Sequence, residues 1–139
     1  MKKIFVVITL LFAQNSFSET MRLHFKSMTQ SKGTIHWAMY APGTEWPGEN
    51  SATFGGNVPV TSLDLVVEVP NVPFGTYAIA SYQDINNNGK MDKRLGFPLE
   101  PFGFSNGARP TVLGAPDFDK AKFNFSSDAQ VVDVEIKPF

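Results

Sequence analysis

Nine residues in the second half of the chain have the residue types and spacing of a loop that binds calcium. They read Asp84-Ile85-Asn86-Asn87-Asn88-Gly89-Lys90-Met91-Asp92, with oxygen-bearing side chains at loop positions 1, 3, 5 and 9. Calcium takes about six to eight oxygen ligands, and alternate spacing lets one tight turn direct several oxygens at a single point. The glycine at position 6 permits the sharp reversal of the chain that this requires. The sequence therefore predicts a calcium site.

The predicted ligands are four side-chain groups and one backbone carbonyl, those of Asp84, Asn86, Asn88, Asp92 and Lys90. Leu95 stands where a full EF-hand has its bidentate carboxylate, and Glu100 is the candidate for that missing group. With only two carboxylates in the loop, we expect weak affinity, with a Kd of about 10⁻⁴–10⁻³ M. The alternative is an asparagine-rich turn that is held by its own hydrogen bonds and binds no metal.

Residues 103–107 match the Gly-x-Ser-x-Gly pattern of a hydrolase nucleophile elbow. That motif works on a sharp strand-to-helix turn, with its histidine later in the chain. Prolines flank the segment on both sides, and both histidines, His24 and His36, precede it. The pattern is therefore interpreted as a Gly/Asn turn in a long loop.

The same two histidines stand at polar-facing positions of two early strands. Two imidazoles without a nearby carboxylate make a poor transition-metal site. Histidines that face solvent from a strand are the favoured interpretation.

Alternation of apolar and polar residues with period two indicates half-buried strands through most of the chain. The apolar members form five sets: Met21, Leu23 and Phe25; Ile35, Trp37 and Met39; Leu63, Leu65, Val67 and Val69; Ala121, Phe123 and Phe125; and Val132, Val134 and Ile136. The short polar segment 126–129 predicts a hairpin between the last two sets. No long window has a helical period, although a turn of helix near residues 117–120 fits the pattern. The sequence predicts an all-β, two-sheet antiparallel sandwich of about seven strands, immunoglobulin-like or transthyretin-like.

Two long segments interrupt this pattern. Residues 41–57 are rich in proline and glycine and are predicted to form a loop. Residues 93–118 contain several phenylalanines, whose rings need burial, so this segment is predicted to be ordered and folded over one end of the sandwich. Trp37 is predicted to be buried, whereas Trp46 is a candidate for an exposed aromatic contact in a sugar or peptide site.

The N-terminus predicts export. Lys2 and Lys3 precede an apolar run, and Ser16 and Ser18 frame Phe17 in a small-x-small cleavage pattern. Residues 1–18 are therefore interpreted as a signal peptide, and residues 19–139 as one domain of a periplasmic or secreted protein. The apolar run is too short to span a bilayer, so no membrane insertion is expected.

Charge and cysteine content narrow the possible partners. Two of the 12 lysines and arginines fall in the predicted signal peptide. The 13 acidic residues outnumber the lysines and arginines that remain in the domain. No basic cluster is left for nucleic acid. Cysteine is absent, so the domain relies on its core, on a metal, or on both.

A resemblance to a known family rests on three motifs. Residues 69–80 place a strand, then Pro-x-Gly-x-Tyr, then another strand, as in the strand joints of prealbumin-like and carboxypeptidase-regulatory-like sandwiches. The acidic loop, Gly103-Phe104-Ser105-Asn106 and Ala121-Lys122-Phe123 follow in order. The chain is similar, over roughly residues 21–137, to a bacterial family of exported proteins of unknown function. This resemblance implies a sandwich outside the cytoplasm and brings no reaction and no substrate.

The function expected from the sequence is that of an exported, non-enzymatic binding or accessory module with a structural calcium loop. It is expected to be a monomer that binds a protein or a carbohydrate. The alternatives are a structural or adhesive subunit that pairs through strand edges, and an enzyme of unassigned chemistry.

Overall fold

Strands are the main regular elements of the computed structural model, which describes residues 17–139. Residues 1–16 of the predicted signal peptide lie outside the described residues. The strands, in chain order, are β1 (Ser18–Lys26), β2 (Thr34–Tyr40), β3 (Phe54–Pro59), β4 (Leu65–Pro73), β5 (Gly75–Asp84), β6 (Lys93–Arg94), β7 (Phe97–Pro98), β8 (Phe102–Phe104), β9 (Phe123–Phe125) and β10 (Val131–Glu135). A short helix, α1 (Phe118–Ala121), and a 3-10 turn, Ser105–Gly107, complete the elements of this part of the chain. The all-β class and the turn of helix are confirmed.

The number of strands in residues 17–139 exceeds the predicted number of about seven. The additional strands β6 and β7 are two residues long and pair only with each other. They lie in the segment without alternation, where period two could not reveal them. Strand β3 begins at Phe54, so the predicted loop over residues 41–57 ends earlier than expected.

The first sheet has the strand order β10-β1-β4 and contains a parallel pair. Strands β1 and β4 are antiparallel, but β1 and β10 are parallel, with Arg22 opposite Val131. The prediction of a purely antiparallel sandwich is therefore wrong at this pair. The predicted hairpin around residues 126–129 is also wrong, because β9 pairs with β5 while β10 pairs with β1. Alternation shows which face of a strand is buried and does not identify the neighbouring strand.

The second sheet has the order β3-β2-β5-β8, and β9 pairs with the first half of β5. Apolar side chains from both sheets meet in one core cluster. From the first sheet it contains Met21, Leu23, Phe25, Val69, Val132 and Val134, and from the second Ile35, Trp37, Met39, Tyr77, Ile79 and Phe125. These are mostly the residues predicted by alternation, and the sandwich-like arrangement of two layers follows from their packing.

The outer faces of the two sheets differ in chemistry. The first sheet carries a charged network on its outer face, in which Asp133 contacts Lys26 at 2.8 Å and His24 at 3.0 Å. Segments that connect the strands cover part of the outer face of the second sheet. Ala78 of β5 packs there with Ala108, Ala121, Phe104 of β8 and, from the segments that cover the sheet, Trp46 and Phe118. The segment 93–118 is ordered, as predicted, but part of it packs against this face of the sheet.

Tyr77 joins β4 to β5 through its hydroxyl group. This hydroxyl donates a hydrogen bond of 2.7 Å to the carbonyl oxygen of Pro73, and the side chain is buried. Burial raises the pKa of Tyr77 above its ordinary value of 10.0. The folded state therefore holds the phenolic proton more tightly than the unfolded state does.

Replacing Tyr77 by phenylalanine is expected to lower the free energy of unfolding by about 1 kcal/mol at neutral pH, because one hydrogen bond is lost. A pKa raised by folding gives stability that is complete below the unfolded pKa and is lost as the pH rises through the folded pKa. The Tyr77→Phe variant should therefore lose less stability above pH 10 than the wild type. Urea unfolding across the alkaline range measures both effects, and identical alkaline slopes would contradict the second.

Candidate functional site

The loop predicted from residues 84–92 starts at the end of β5 and is organised around the carboxylate of Asp84. Asp84 is 1 % exposed. Its Oδ2 accepts a hydrogen bond of 2.8 Å from the amide of Gly89 and lies 3.1 Å from Nε2 of His36. Its Oδ1 accepts a hydrogen bond of 3.2 Å from the amide of Asn88. The buried side chain of Asp84 thus holds Asn88 and Gly89 of the loop close to the end of β5.

The electrostatics of Asp84 favour its charged form. Burial is the largest single influence and would raise its pKa, but the hydrogen bonds from Gly89, His36 and Asn88 together outweigh burial. The pKa of Asp84 therefore lies below its ordinary value. A fixed negative charge stands at loop position 1 at neutral pH.

Three of the predicted ligand side chains converge on one another at the exposed side of the loop. The side-chain amide of Asn86 donates to Oδ2 of Asp92 at 2.7 Å, and that of Asn88 donates to Oδ1 at 2.8 Å. The reversal uses positive φ at Asn87 and Gly89, as the composition of the loop predicted. If the side-chain amide of each asparagine rotated by about 180°, its oxygen would take the position of its nitrogen. Both amide oxygens would then point at Asp92. The exposed Lys90 follows this turn.

Glu100 also reaches the loop, from the segment between β7 and β8. Its Oε1 accepts a hydrogen bond from the amide of Ile85 at 3.2 Å, and its Oε2 accepts one from the amide of Asp92 at 3.3 Å. The side chain is 6 % exposed, and burial, with the charges of Asp84 and Asp92 adding to it, raises its pKa. Glu100 therefore clamps the two ends of the loop together. Its role as a metal ligand stays a prediction.

The loop combines amide, carboxylate and backbone oxygens. Nowhere in residues 17–139 do three or more His, Cys, Asp or Glu side chains form a cluster suited to a metal ion. Calcium accepts amide and carbonyl oxygens in addition to carboxylates, so the donors of this loop fit calcium better than a transition metal.

The two histidines lie on opposite outer faces. His24 is in β1 of the first sheet and contacts Asp64 and Asp133, whereas His36 is in β2 of the second sheet. A shared metal site is therefore not formed. His36 also differs from a solvent-facing histidine, because its ring stacks on Tyr82 at a centroid distance of 4.9 Å while Nε2 meets Asp84.

Ser105 of the Gly-x-Ser-x-Gly pattern has a structural role. It is fully buried, and its hydroxyl donates a hydrogen bond of 2.6 Å to the carbonyl of Ala121 and accepts one of 2.8 Å from the amide of Ile79. Asn106 and Gly107 have positive φ, in agreement with the predicted Gly/Asn turn.

Trp46 is not the exposed contact that its position in a loop suggested. It is half-buried, and its Nε1 donates a hydrogen bond of 2.8 Å to the carbonyl of Pro116. Its ring packs edge-on against those of Tyr40, Phe104 and Phe118. Trp46 therefore joins the segment between β2 and β3 to the segment that precedes α1. Trp37 is in the core, as predicted.

An apolar cleft of about 560 Å³ lies beside these segments on the outer face of the second sheet. Ala38 and Ala80, which are opposite each other in the register of β2 and β5, form part of its lining. The rings that line it belong to His36, Tyr40, Tyr82, Phe97, Phe102, Phe104 and Phe139. Sequence reasoning missed this cleft. The available signal was a pair of alanines at outward positions of two central strands, where charged residues are usual.

The cleft and the loop share a border. His36 lines the cleft and contacts Asp84, and both Met91 of the loop and Lys93 just after it line the cleft as well. A second groove continues from the cleft past Tyr82 along Gly89, Lys90 and Met91. The conformation of the loop therefore determines the shape of one wall.

These features define a sandwich-like all-β protein with an asparagine-rich loop at the border of an apolar cleft. Over residues 23–133 the chain matches the family described as uncharacterized protein conserved in bacteria (DUF2141). The match covers most of the chain, and the protein belongs to this family. No curated protein and no solved structure matches the chain. The predicted relation to a bacterial family of unknown function is confirmed.

Within residues 17–139, no helix combines the length and the apolar character needed to cross a membrane.

Proposed function

We propose that this protein is an exported, monomeric and non-enzymatic binding module in which the loop at residues 84–92 binds calcium and thereby orders one wall of the cleft. The supporting observation is the shared border: the loop that has calcium-type spacing supplies Met91 to the cleft and contacts its lining residue His36. Binding sites are commonly concave, largely apolar and built on loops that a rigid sheet positions.

The fold that we propose is an immunoglobulin-like or transthyretin-like sandwich. Tyr77 supports it, because its hydroxyl bonds back to the backbone four residues earlier, at the joint between two strands. This is the arrangement of the tyrosine corner in sandwiches of the immunoglobulin type.

The proposed metal site uses the side chains of Asp92, Asn86 and Asn88, which already converge, and the carbonyl of Lys90. Asp84 supplies negative charge from beneath, and Glu100 holds the ends of the loop at a fixed separation. Few carboxylates and several exposed residues favour a weak site, with a Kd of about 10⁻⁴–10⁻³ M. Such affinity suits the millimolar calcium found outside cells.

Calcium is expected to raise the melting temperature by several degrees. A ligand that binds only the folded state at ten times its Kd adds about 1.4 kcal/mol to the free energy of unfolding, which is a shift of several degrees in a domain of this size. Thermal unfolding in EDTA and then in calcium measures it. Asp92→Asn should abolish the shift, whereas Asp119→Asn, a matched change at a side chain that is 82 % exposed and distant in sequence, should retain it.

Asp92 is a better probe of the metal than Asp84, because the Asp84 carboxylate is needed by the loop even without a cation. If calcium gives no shift in the wild type, the loop is a turn held by its own hydrogen bonds. An equal shift in Asp92→Asn and the wild type would mean that any bound cation lies elsewhere.

Strand addition by a structural or adhesive subunit is the alternative, and two of the edge strands disfavour it. The edge strand β4 contains Pro70 and Pro73, and the edge strand β3 ends at Pro59. Proline lacks an amide donor and interrupts a ladder with an added strand.

A further inference from the structure

The rim of the cleft exposes large apolar side chains to solvent. Leu95 is 93 % exposed, Val112 84 %, Phe139 56 % and Phe97 46 %, and all four line the cleft. Leu95 and Val112 stand in two separate tight turns, of which the second is closed by the bridge between residues 111 and 114. Apolar side chains clustered around a concavity mark a binding site, whereas single ones scattered over a surface do not.

The shape of the cleft favours a small molecule. Its volume of about 560 Å³ is within the range of roughly 300–1,000 Å³ that is typical of ligand pockets. The small side chains of Ala38 and Ala80 leave space over the sheet, and the rings of Tyr82 and Phe102 contribute to the lining. A narrow apolar body can bury most of its surface in such a space.

The ammonium group in the lining of the cleft can pair with an anion. The lining contains Lys93 and no Asp or Glu side chain. The guanidinium of Arg109 lies 5.3 Å from the ring centre of Phe102, one of the lining residues. The adjoining groove adds Lys90 and Glu49, which offset each other. The carboxylates at the two ends of the loop also act on the lining residue Tyr82, so the positive group of the lining that can pair with a ligand is Lys93.

We propose that the cleft binds a small amphipathic acid, with its alkyl or aryl body over Ala38 and Ala80 and its carboxylate near Lys93. The proposal deepens the proposed function, because it names the ligand class of the same binding module. It does not depend on whether the loop holds calcium.

The test is a calorimetric titration of the protein with hexanoate, octanoate and decanoate, in EDTA and in calcium. Affinity should rise about fourfold for each added methylene, because each one buries further apolar surface. Decylamine, which has the same chain and the opposite charge, should bind about fivefold more weakly than decanoate, as expected for a partly exposed charge interaction. Decanol should fall between the two.

Two variants locate the site. Ala80→Leu places a larger side chain over the sheet and should weaken decanoate binding at least tenfold, whereas Ala129→Leu, at an exposed position in the 126–129 turn, should leave it unchanged. Lys93→Gln should reduce the preference of decanoate over decylamine from about fivefold to about equal binding, and Lys120→Gln is its control. Melting temperatures confirm that each variant is folded.

Each outcome separates this inference from the calcium site. Failure of the folded wild type to bind any of the alkyl probes, or equal binding by Ala80→Leu, would overturn the cleft as the site. Decylamine binding as tightly as decanoate would overturn the acid and leave an apolar binding module. A melting shift with calcium, combined with either result, would show that the loop acts as proposed while the ligand class is wrong.

Discussion

Replacing Gly33 by alanine is expected to lower the free energy of unfolding by about 3–4 kcal/mol, which would be among the largest effects of any single methyl group in this protein. Gly33 has a φ of 77°, and a Cβ atom there would overlap the carbonyl oxygen of Asp84 and lie 2.8 Å from the Cα of Ile85. Both atoms belong to the backbone where the loop begins, so neither can rotate away. The alanine must therefore displace the loop from the sheet. Urea unfolding measures the loss.

Gly43 provides the matched control. It has a φ of 81°, and nothing lies within 4 Å of the position that a Cβ atom would take. Gly43→Ala therefore carries the same backbone strain without the overlap and should cost only about 1 kcal/mol. Equal losses in the two variants would show that the conformation of the glycine matters and its contact with Asp84 does not.

Asp84→Ala is expected to cost about 3–5 kcal/mol in EDTA, with no metal involved. The buried carboxylate accepts hydrogen bonds from the amides of Asn88 and Gly89 and contacts His36, and its removal leaves those donors without this partner in part-buried positions. A buried donor that loses its acceptor costs about 1–3 kcal/mol, more where a charge is involved. Chemical unfolding at neutral pH measures the loss.

Asp84→Asn separates the charge of this residue from its shape. Asparagine keeps one acceptor oxygen of the same geometry, so we expect a loss of about half that of alanine. Asp92→Asn, on the exposed side of the same loop, should cost less than about 0.5 kcal/mol in EDTA. A full loss in Asp92→Asn without calcium would mean that the exposed side chains, and not Asp84, hold the loop together.

The buried faces of the long strands could be predicted from the sequence alone. Ile35, Trp37 and Met39 alternate with polar or small residues, and burial of one face of a strand follows directly from that period. Strand partners could not be predicted in the same way. Phe125 and Val134 both face the core, yet their strands belong to different sheets, because a polar connection of five residues can cross from one sheet to the other as well as form a hairpin.

The loop could be predicted because its chemistry is local. Asp84 and Asp92 are close in sequence, and the spacing of the oxygens between them restricts what the turn can do. The cleft could not, because it depends on register: Ala38 meets Ala80 only when β2 and β5 are aligned. Trp46 was misjudged for a related reason, since its hydrogen-bond partner Pro116 is 70 residues further along the chain.

The parallel contact between β1 and β10 has a consequence for the order in which the molecule is assembled. Arg22 pairs with Val131 and Lys26 with Glu135, so β1 gains this neighbour only after β2 to β9 have been synthesised. Contacts between residues so distant in sequence slow folding and delay its completion. The first sheet therefore closes only after β10 is available to pair with β1.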